Sequence, residues 1–204
     1  MYNQIKLKYP HTEILVVSKQ KSIEQIKYFY DKGIYNFGEN RANELIFKAS
    51  HFPLANWHFI GHLQRKKVKS IIQYVDIIES VDSKKLLIEI NKQAEKISKV
   101  QKVFLQLNLT KDENKTGLNK LDFIELLSYS KALNNITVCG VMAMGPNTDN
   151  LTEIKTVFNE VSKLYFTYKH KNNLQYLSMG MSNDYDIAAE YGANQFRLGT
   201  ILFK

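Results

Sequence analysis

The chain has 204 residues, 44% hydrophobic and 24% charged, with a formal net charge of +8; this balance suits one well-packed core and excludes disordered or collagen-like chains. No apolar run approaches the ~20 residues of a membrane span, and residues 1–13 lack the apolar core of a signal peptide, so a cytoplasmic protein that meets no membrane is expected. Three arginines against twenty-five lysines, with no zinc-finger spacing and no RNP-like segment, argue against nucleic-acid binding despite the positive charge.

Taken in order, the first strong signal is Ile14-Leu15-Val16-Val17-Ser18-Lys19, an apolar run ending in a lysine. Successive apolar residues mark a strand buried on both faces, as in a parallel sheet, and alternation puts Lys19 on the face of Leu15 and Val17. If that face lines a barrel, the amine emerges at the barrel mouth; an amine in apolar surroundings loses its proton more readily, and a neutral amine condenses with an aldehyde. Ser22-Ile23-Glu24-Gln25 reads as a capping box opening a helix, which Gly33 ends. Further strands are expected over 34–37, 57–60, 75–79, 100–109, 138–142, 174–179 and 195–198, each separated from the next by a helical pattern. The densest basic run, Arg65-Lys66-Lys67-Val68-Lys69, falls on one of these helices and reads as a solvated face. The longest helix carries Leu151, Ile154, Val157, Phe158, Val161, Leu164, Tyr165 and Tyr168 at spacings of three and four. Cys139 lies in an apolar strand and reads as a small buried hydrophobe.

Eight strands alternating with seven helices predict an α/β fold, a (β/α)8 TIM barrel forming one domain over 1–204, with an open doubly wound sheet as the alternative. All three prolines, Pro10, Pro53 and Pro146, fall in connections. In such barrels the loops after strands seven and eight often hold a phosphate. Here they contain Gly180-Met181-Ser182-Asn183-Asp184 and Gly199-Thr200. Gly180 permits close backbone approach, Ser182 is expected to cap the following short helix, and Gly199 and Thr200 can add donors. A lysine at the end of strand one facing a phosphate cup is the layout expected for pyridoxal phosphate.

These segments resemble the pyridoxal phosphate homeostasis proteins, relatives of the alanine racemase N-terminal barrel domain. The resemblance runs over 14–203. It rests on Val17-Ser18-Lys19, Phe37-Gly38-Glu39-Asn40, Trp57-His58-Phe59-Ile60-Gly61 with Leu63-Gln64, and Asn108 with Glu113, Lys115 and Gly117. It continues through Gly140-Val141-Met142-Ala143 and the segments 177–184 and 197–200. It implies that Lys19 forms a Schiff base with the cofactor, that Ser182, Gly199 and Thr200 hold the phosphate, that Arg197 faces the pyridine nitrogen, and that Asn40 lies beside the ring. For Asn40 the structural alternative is the N-cap of the second helix, and His58 reads as a core histidine. The chain departs from the family in carrying Ser22 where a proline is usual and Lys66 where an asparagine is common. It is also expected to lack the usual N-terminal helix, since only about a dozen polar residues precede Ile14. The groove between strands eight and one is therefore expected to be crossed by residues 2–10 or covered by a second copy, leaving monomer and homodimer both open.

The function implied is a carrier that buffers pyridoxal phosphate and delivers it to apoenzymes without catalytic turnover. The alternative is an amino acid racemase, which needs a proton donor on each face of the substrate carbanion. Lys19 supplies one, and in alanine racemase the family comparison implies that the other comes from a second domain, for which no residues follow Lys204. A cofactor-free Schiff-base aldolase would leave the phosphate cup and Arg197 without a purpose. An arginine at the ring nitrogen, having only donors, also disfavours deep electron-sink chemistry. No metal site is expected.

Overall fold

A computed structural model describes residues 1–110 and 116–203 of the chain. Eight parallel strands close a barrel in chain order: β1 (Glu13–Val17), β2 (Asn36–Glu39), β3 (Asn56–Phe59), β4 (Ile77–Val81), β5 (Gln101–Leu107), β6 (Ile136–Ala143), β7 (Tyr176–Ser178) and β8 (Gln195–Leu198). Pairing of β8 with β1, with Leu15 opposite Arg197, completes the ring. Between successive strands run α2 (Ile23–Tyr30), α3 (Ala42–Ala49), α4 (Arg65–Ile71), α5 (Lys84–Glu95), α6 (Lys120–Tyr129), α7 (Leu151–Asn172) and α8 (Tyr185–Glu190). The expected (β/α)8 barrel is therefore the fold, and the open sheet is excluded by the closing pair.

The expected lack of an N-terminal helix is overturned. Residues Tyr2–Lys8 form a helix, α1, before β1. Its pattern is short: Tyr2, Ile5 and Tyr9 recur at spacings of three and four among polar residues, and Ile5 is buried. The Tyr9 ring meets Phe196 edge-on at 5.3 Å, and Lys8 Nζ pairs with Asp186 at 2.7 Å. Thus residues 2–10 pack against the outside of β8 and against α8. From the other terminus, Phe203 reaches Phe29 of α2, with ring centroids 5.0 Å apart.

The main core lies between the strands and the helices, where Val16, Phe37, Trp57, Ile78, Leu105 and Phe158 are all buried. A separate cluster of Ile77, Phe104, Cys139 and Met142 occupies the barrel interior, with Tyr176 stacked on Phe104. Cys139 is buried there as expected, and burial pushes its thiol up to about 12. The capping box is present: Gln25 N donates to Ser22 Oγ at 3.3 Å and Ser22 N to Gln25 Oε1 at 3.1 Å. In α4 the basic side chains face solvent while Val68 and Ile71 are buried. Strand ends differ from expectation by up to two residues. The most consequential case is β1, which ends at Val17 and leaves Lys19 in the turn that follows.

Candidate functional site

At the C-terminal mouth of the barrel a cavity of about 850 Å³ is lined by Lys19, Asn40, Ser182, Arg197, Gly199 and Thr200, all six of the residues singled out from sequence. Barrel closure explains the convergence, because β8 lies beside β1 and carries Gly199-Thr200 to Val17 and Lys19. A Cβ on Gly199 would approach Val17 O to 3.2 Å. Lys19 is an exposed residue of the mouth, so its setting is less apolar than the strand pattern predicts. Glu113 and Lys115, part of the resemblance, lie outside the described residues.

One expected cap is corrected and one capping alternative is ruled out. Asp184, not Ser182, holds the N-cap position of α8, and its Oδ1 takes the Met181 N–H at 2.6 Å, spending that amide within the loop. Ser182 Oγ instead accepts from Ile201 N at 3.4 Å, joining the loops after β7 and β8. A glycine is required at position 180, where φ is +90° and a Cβ would stand 2.8 Å from Tyr185 Cα. Likewise Arg41, not Asn40, is the N-cap of α3, so the structural alternative for Asn40 falls and its side chain is left to the mouth. Asn40 sits where it does because the chain after β3 passes against its backbone: a Cβ on Gly61 would overlap Asn40 O at 2.4 Å.

Beneath the mouth is a buried polar cluster that the sequence reading did not assemble. Glu79 Oε1 accepts from His58 Nδ1 at 2.6 Å and from Gln195 Nε2 at 2.6 Å, while its Oε2 accepts from Ser178 Oγ at 2.8 Å. An ionised carboxylate only accepts, so the His58 Nδ1 carries the proton. Arg197 stands above it, donating from Nη1 to Ser178 O (2.7 Å) and Oγ (2.8 Å) and from Nη2 to Ala143 O (2.8 Å). Burial alone would raise the Glu79 pKa, but the His58 hydrogen bond and the charges of His58 and Arg197 outweigh it and hold the carboxyl below its usual range. Burial lowers the Arg197 pKa, opposed by Glu79 and Asp184. His58 is thus a core histidine, as expected. The one available signal was Glu79 itself, a lone carboxylate in the apolar run Ile77-Ile78-Glu79-Ser80-Val81.

The donor set at the mouth suits a phosphorylated aldehyde. A guanidinium has five N–H groups; the three bonds above commit three, leaving two for a ligand. Lys19 supplies a primary amine, and Ser182, Gly199 and Thr200 offer hydroxyl and backbone donors at the rim. Among the described residues no group of three His, Cys, Asp or Glu could hold a metal ion. No described helix is long and apolar enough to cross a membrane.

Comparison with known proteins places these features in context. The family profile "Alanine racemase, N-terminal domain" matches residues 2–204. The pyridoxal phosphate homeostasis protein of Aquifex aeolicus is 37% identical over 195 residues, covering 94% of this chain and 86% of the relative. Among solved structures, PipY of Synechococcus elongatus without pyridoxal phosphate superposes with a TM-score of 0.92 at 30% identity, covering 100% of this chain and 99% of that one. The same protein with pyridoxal phosphate bound gives a TM-score of 0.92 at 28% identity, with coverages of 100% and 98%.

Proposed function

The chain belongs to the alanine racemase N-terminal domain family, and from that premise we propose that it binds pyridoxal phosphate as a carrier, holding it through a Schiff base to Lys19 and passing it to apoenzymes rather than turning over a substrate. The observation that carries this reading is the convergence of Lys19, Arg197, Ser182, Gly199 and Thr200 on one cavity. Bound there, the cofactor supplies an aldehyde, which condenses with a primary amine and releases water, and a phosphate that calls for several donors. Lys19 would provide the amine, and Ser182, Gly199 and Thr200 the phosphate donors. Asn40 would lie beside the ring. Arg197 would turn one of its uncommitted donors to the ring nitrogen; it has no acceptor and stays cationic, so it holds that nitrogen unprotonated.

A racemase would need a second proton donor facing Lys19. None of the twelve tyrosines lines the cavity, and of the titratable groups that do besides Lys19 and Arg197, His62 is engaged with Asp82 at 3.2 Å and Asp184 with the Met181 N–H at 2.6 Å, which leaves Asp149 as the one further candidate among the described residues and supports the carrier reading. The test is visible absorption of the protein mixed with pyridoxal phosphate, before and after borohydride, with the mass of the labelled peptide. Label on Lys19 is expected, and Lys19→Ala should weaken binding without abolishing it, because the phosphate donors remain. Label on another lysine would refute the assignment. Solvent deuterium entering the Cα of alanine at enzyme-like rates, and lost in Lys19→Ala, would replace the carrier with the racemase.

A further inference from the structure

Behind the turn that bears Lys19, two side chains of α3 hold the backbone on either side of that residue. Lys48 Nζ donates to Ser18 O at 2.8 Å, and Glu44 Oε2 accepts from Gln20 N at 2.9 Å. The Ser18 carbonyl belongs to the peptide unit entering Lys19, and the Gln20 N–H to the unit leaving it. Each unit is planar, so φ and ψ are the soft dihedrals of a residue; pinning both neighbouring planes fixes φ and ψ of Lys19 and with them the direction of its Cα–Cβ bond, from which the amine reaches out. Glu44 and Lys48 are one helical turn apart and paired with each other at 3.0 Å, so the two grips form one unit.

The surroundings show how much structure is committed to this hold. Lys48 is buried and also pairs with Glu39 Oε1 at 2.7 Å, and the same oxygen accepts from Ser18 Oγ at 2.7 Å. Glu39 is fully buried, and its Oε2 has no hydrogen-bond partner among the described residues. Two carboxylates thus share one ammonium in the barrel wall, an arrangement that an apolar core would replace at no loss of stability. Gln20, in turn, adopts the left-handed region at φ +59° although it is not a glycine. A strained residue persists where its surroundings over-determine it, and such sites cluster where geometry serves function. The strain and the buried charges meet at one point, the backbone of Lys19.

We propose that Glu44 and Lys48 are positioning residues for the Lys19 amine, setting how readily it bonds to an aldehyde without touching the ligand themselves. The proposal rests on the reading of Lys19 given above. The experiment compares two probes, pyridoxal phosphate and pyridoxine phosphate, which share ring and phosphate but differ in that the second has no aldehyde. Glu44→Ala, at a partly exposed position, should weaken pyridoxal phosphate on the order of tenfold while leaving pyridoxine phosphate within about twofold. Glu44→Gln, which keeps an acceptor for the Gln20 N–H, should restore most of the loss. In a Lys19→Ala background Glu44→Ala should have no further effect on either probe. Lys48→Met is the harsher variant because it strands Glu39; if it folds by circular dichroism, it should show the same split between probes, and if it does not, the Glu44 series decides. Equal weakening of both probes, or none of either, overturns the proposal. Absence of borohydride label on Lys19 in the unmodified protein overturns the parent reading and this one with it, whereas normal labelling with an unsplit Glu44→Ala removes the clamp alone.

Discussion

Glu79→Gln offers a direct probe of the buried cluster that supports the mouth. The carboxylate is fully buried and takes three hydrogen bonds, from His58, Gln195 and Ser178, and Ser178 in turn holds Arg197. An amide of nearly the same shape leaves Asp184 as the remaining counter-charge of the buried guanidinium and turns an NH2 toward a donor. Removing one partner of a buried charge pair costs about 3–5 kcal/mol, a large share of the roughly 5–15 kcal/mol that keeps a domain folded. With a urea slope of about 2–3 kcal/mol/M, the unfolding midpoint should fall by about 1–2 M. The pH dependence carries its own sign. Since the folded pKa of Glu79 lies below the unfolded value, its contribution is present above the unfolded pKa, at about 4.3, and is lost as pH falls through the lower folded value. The stability difference between native protein and Glu79→Gln should therefore shrink on acidification below about pH 4. Urea melts from pH 3 to 7 would measure both effects. A midpoint change under about 0.3 M, equivalent to less than about 1 kcal/mol, with no narrowing at low pH, would show that Arg197 does not depend on Glu79 as a counter-charge.

Two further outcomes follow from the geometry. Gly61→Ala places a Cβ 2.4 Å from Asn40 O, and since the atoms it meets all belong to the Asn40 backbone the rim between β2 and β3 must shift; a loss of roughly 1–3 kcal/mol in urea stability should accompany weaker pyridoxal phosphate binding, and an unchanged melt would contradict the overlap. Burial would raise the Asp186 pKa, but its bonds from Lys8 and Tyr9 hold it below the usual carboxylate range, so the tether of α1 is intact above that range and released as pH falls through the lowered value. Because the pair is largely exposed, Asp186→Asn should cost under about 1 kcal/mol globally while speeding amide exchange in α1 at neutral pH; unchanged exchange there would show that the tether does not hold the helix.

The barrel was legible because its signals are local and repeated: apolar strands, amphipathic helices, and connections that gather the polar and glycine residues. The mouth was legible for a related reason, since its members sit at strand ends, and closure of β8 on β1 brings them together without any long-range guess. What escaped the sequence reading was of two kinds. The helix α1 rests on three residues, Tyr2, Ile5 and Tyr9, too few for a periodic signal against a polar background, and its partners Phe196 and Asp186 are almost a full chain length away. The cap expected at Ser182 was misplaced, and capping stayed open as the alternative for Asn40, because residue type suits both capping and ligand binding and only tertiary approach decides: Gly61 closing on Asn40, and Asp184 taking the Met181 amide. The clusters around Glu79 and Lys48 combine residues from several elements, each of which alone reads as an ordinary polar side chain.

The depth at which Glu79 sits bears on the proposed carrier role. A site that uses the cofactor as a deep electron sink benefits from an acid close to the ring nitrogen, because a protonated ring accepts negative charge. Here the two carboxylates whose charges act on Arg197 are both engaged: Asp184, at the cavity wall, spends its Oδ1 on the Met181 N–H, and Glu79 is walled off. Both Glu79 oxygens are occupied by His58, Gln195 and Ser178, and Ser178 and Arg197 stand between it and the cavity. On the proposed reading the group presented to the ligand is the guanidinium, which donates hydrogen bonds but does not release its proton at physiological pH. Glu79 thus acts on the mouth only by fixing Arg197 and offsetting its charge. On the other side of the cavity Glu44 and Lys48 fix the backbone of Lys19. Both buried charge clusters aim one cationic side chain each, and neither extends an acid into the mouth, an allocation that favours holding an aldehyde over protonating what is made from it.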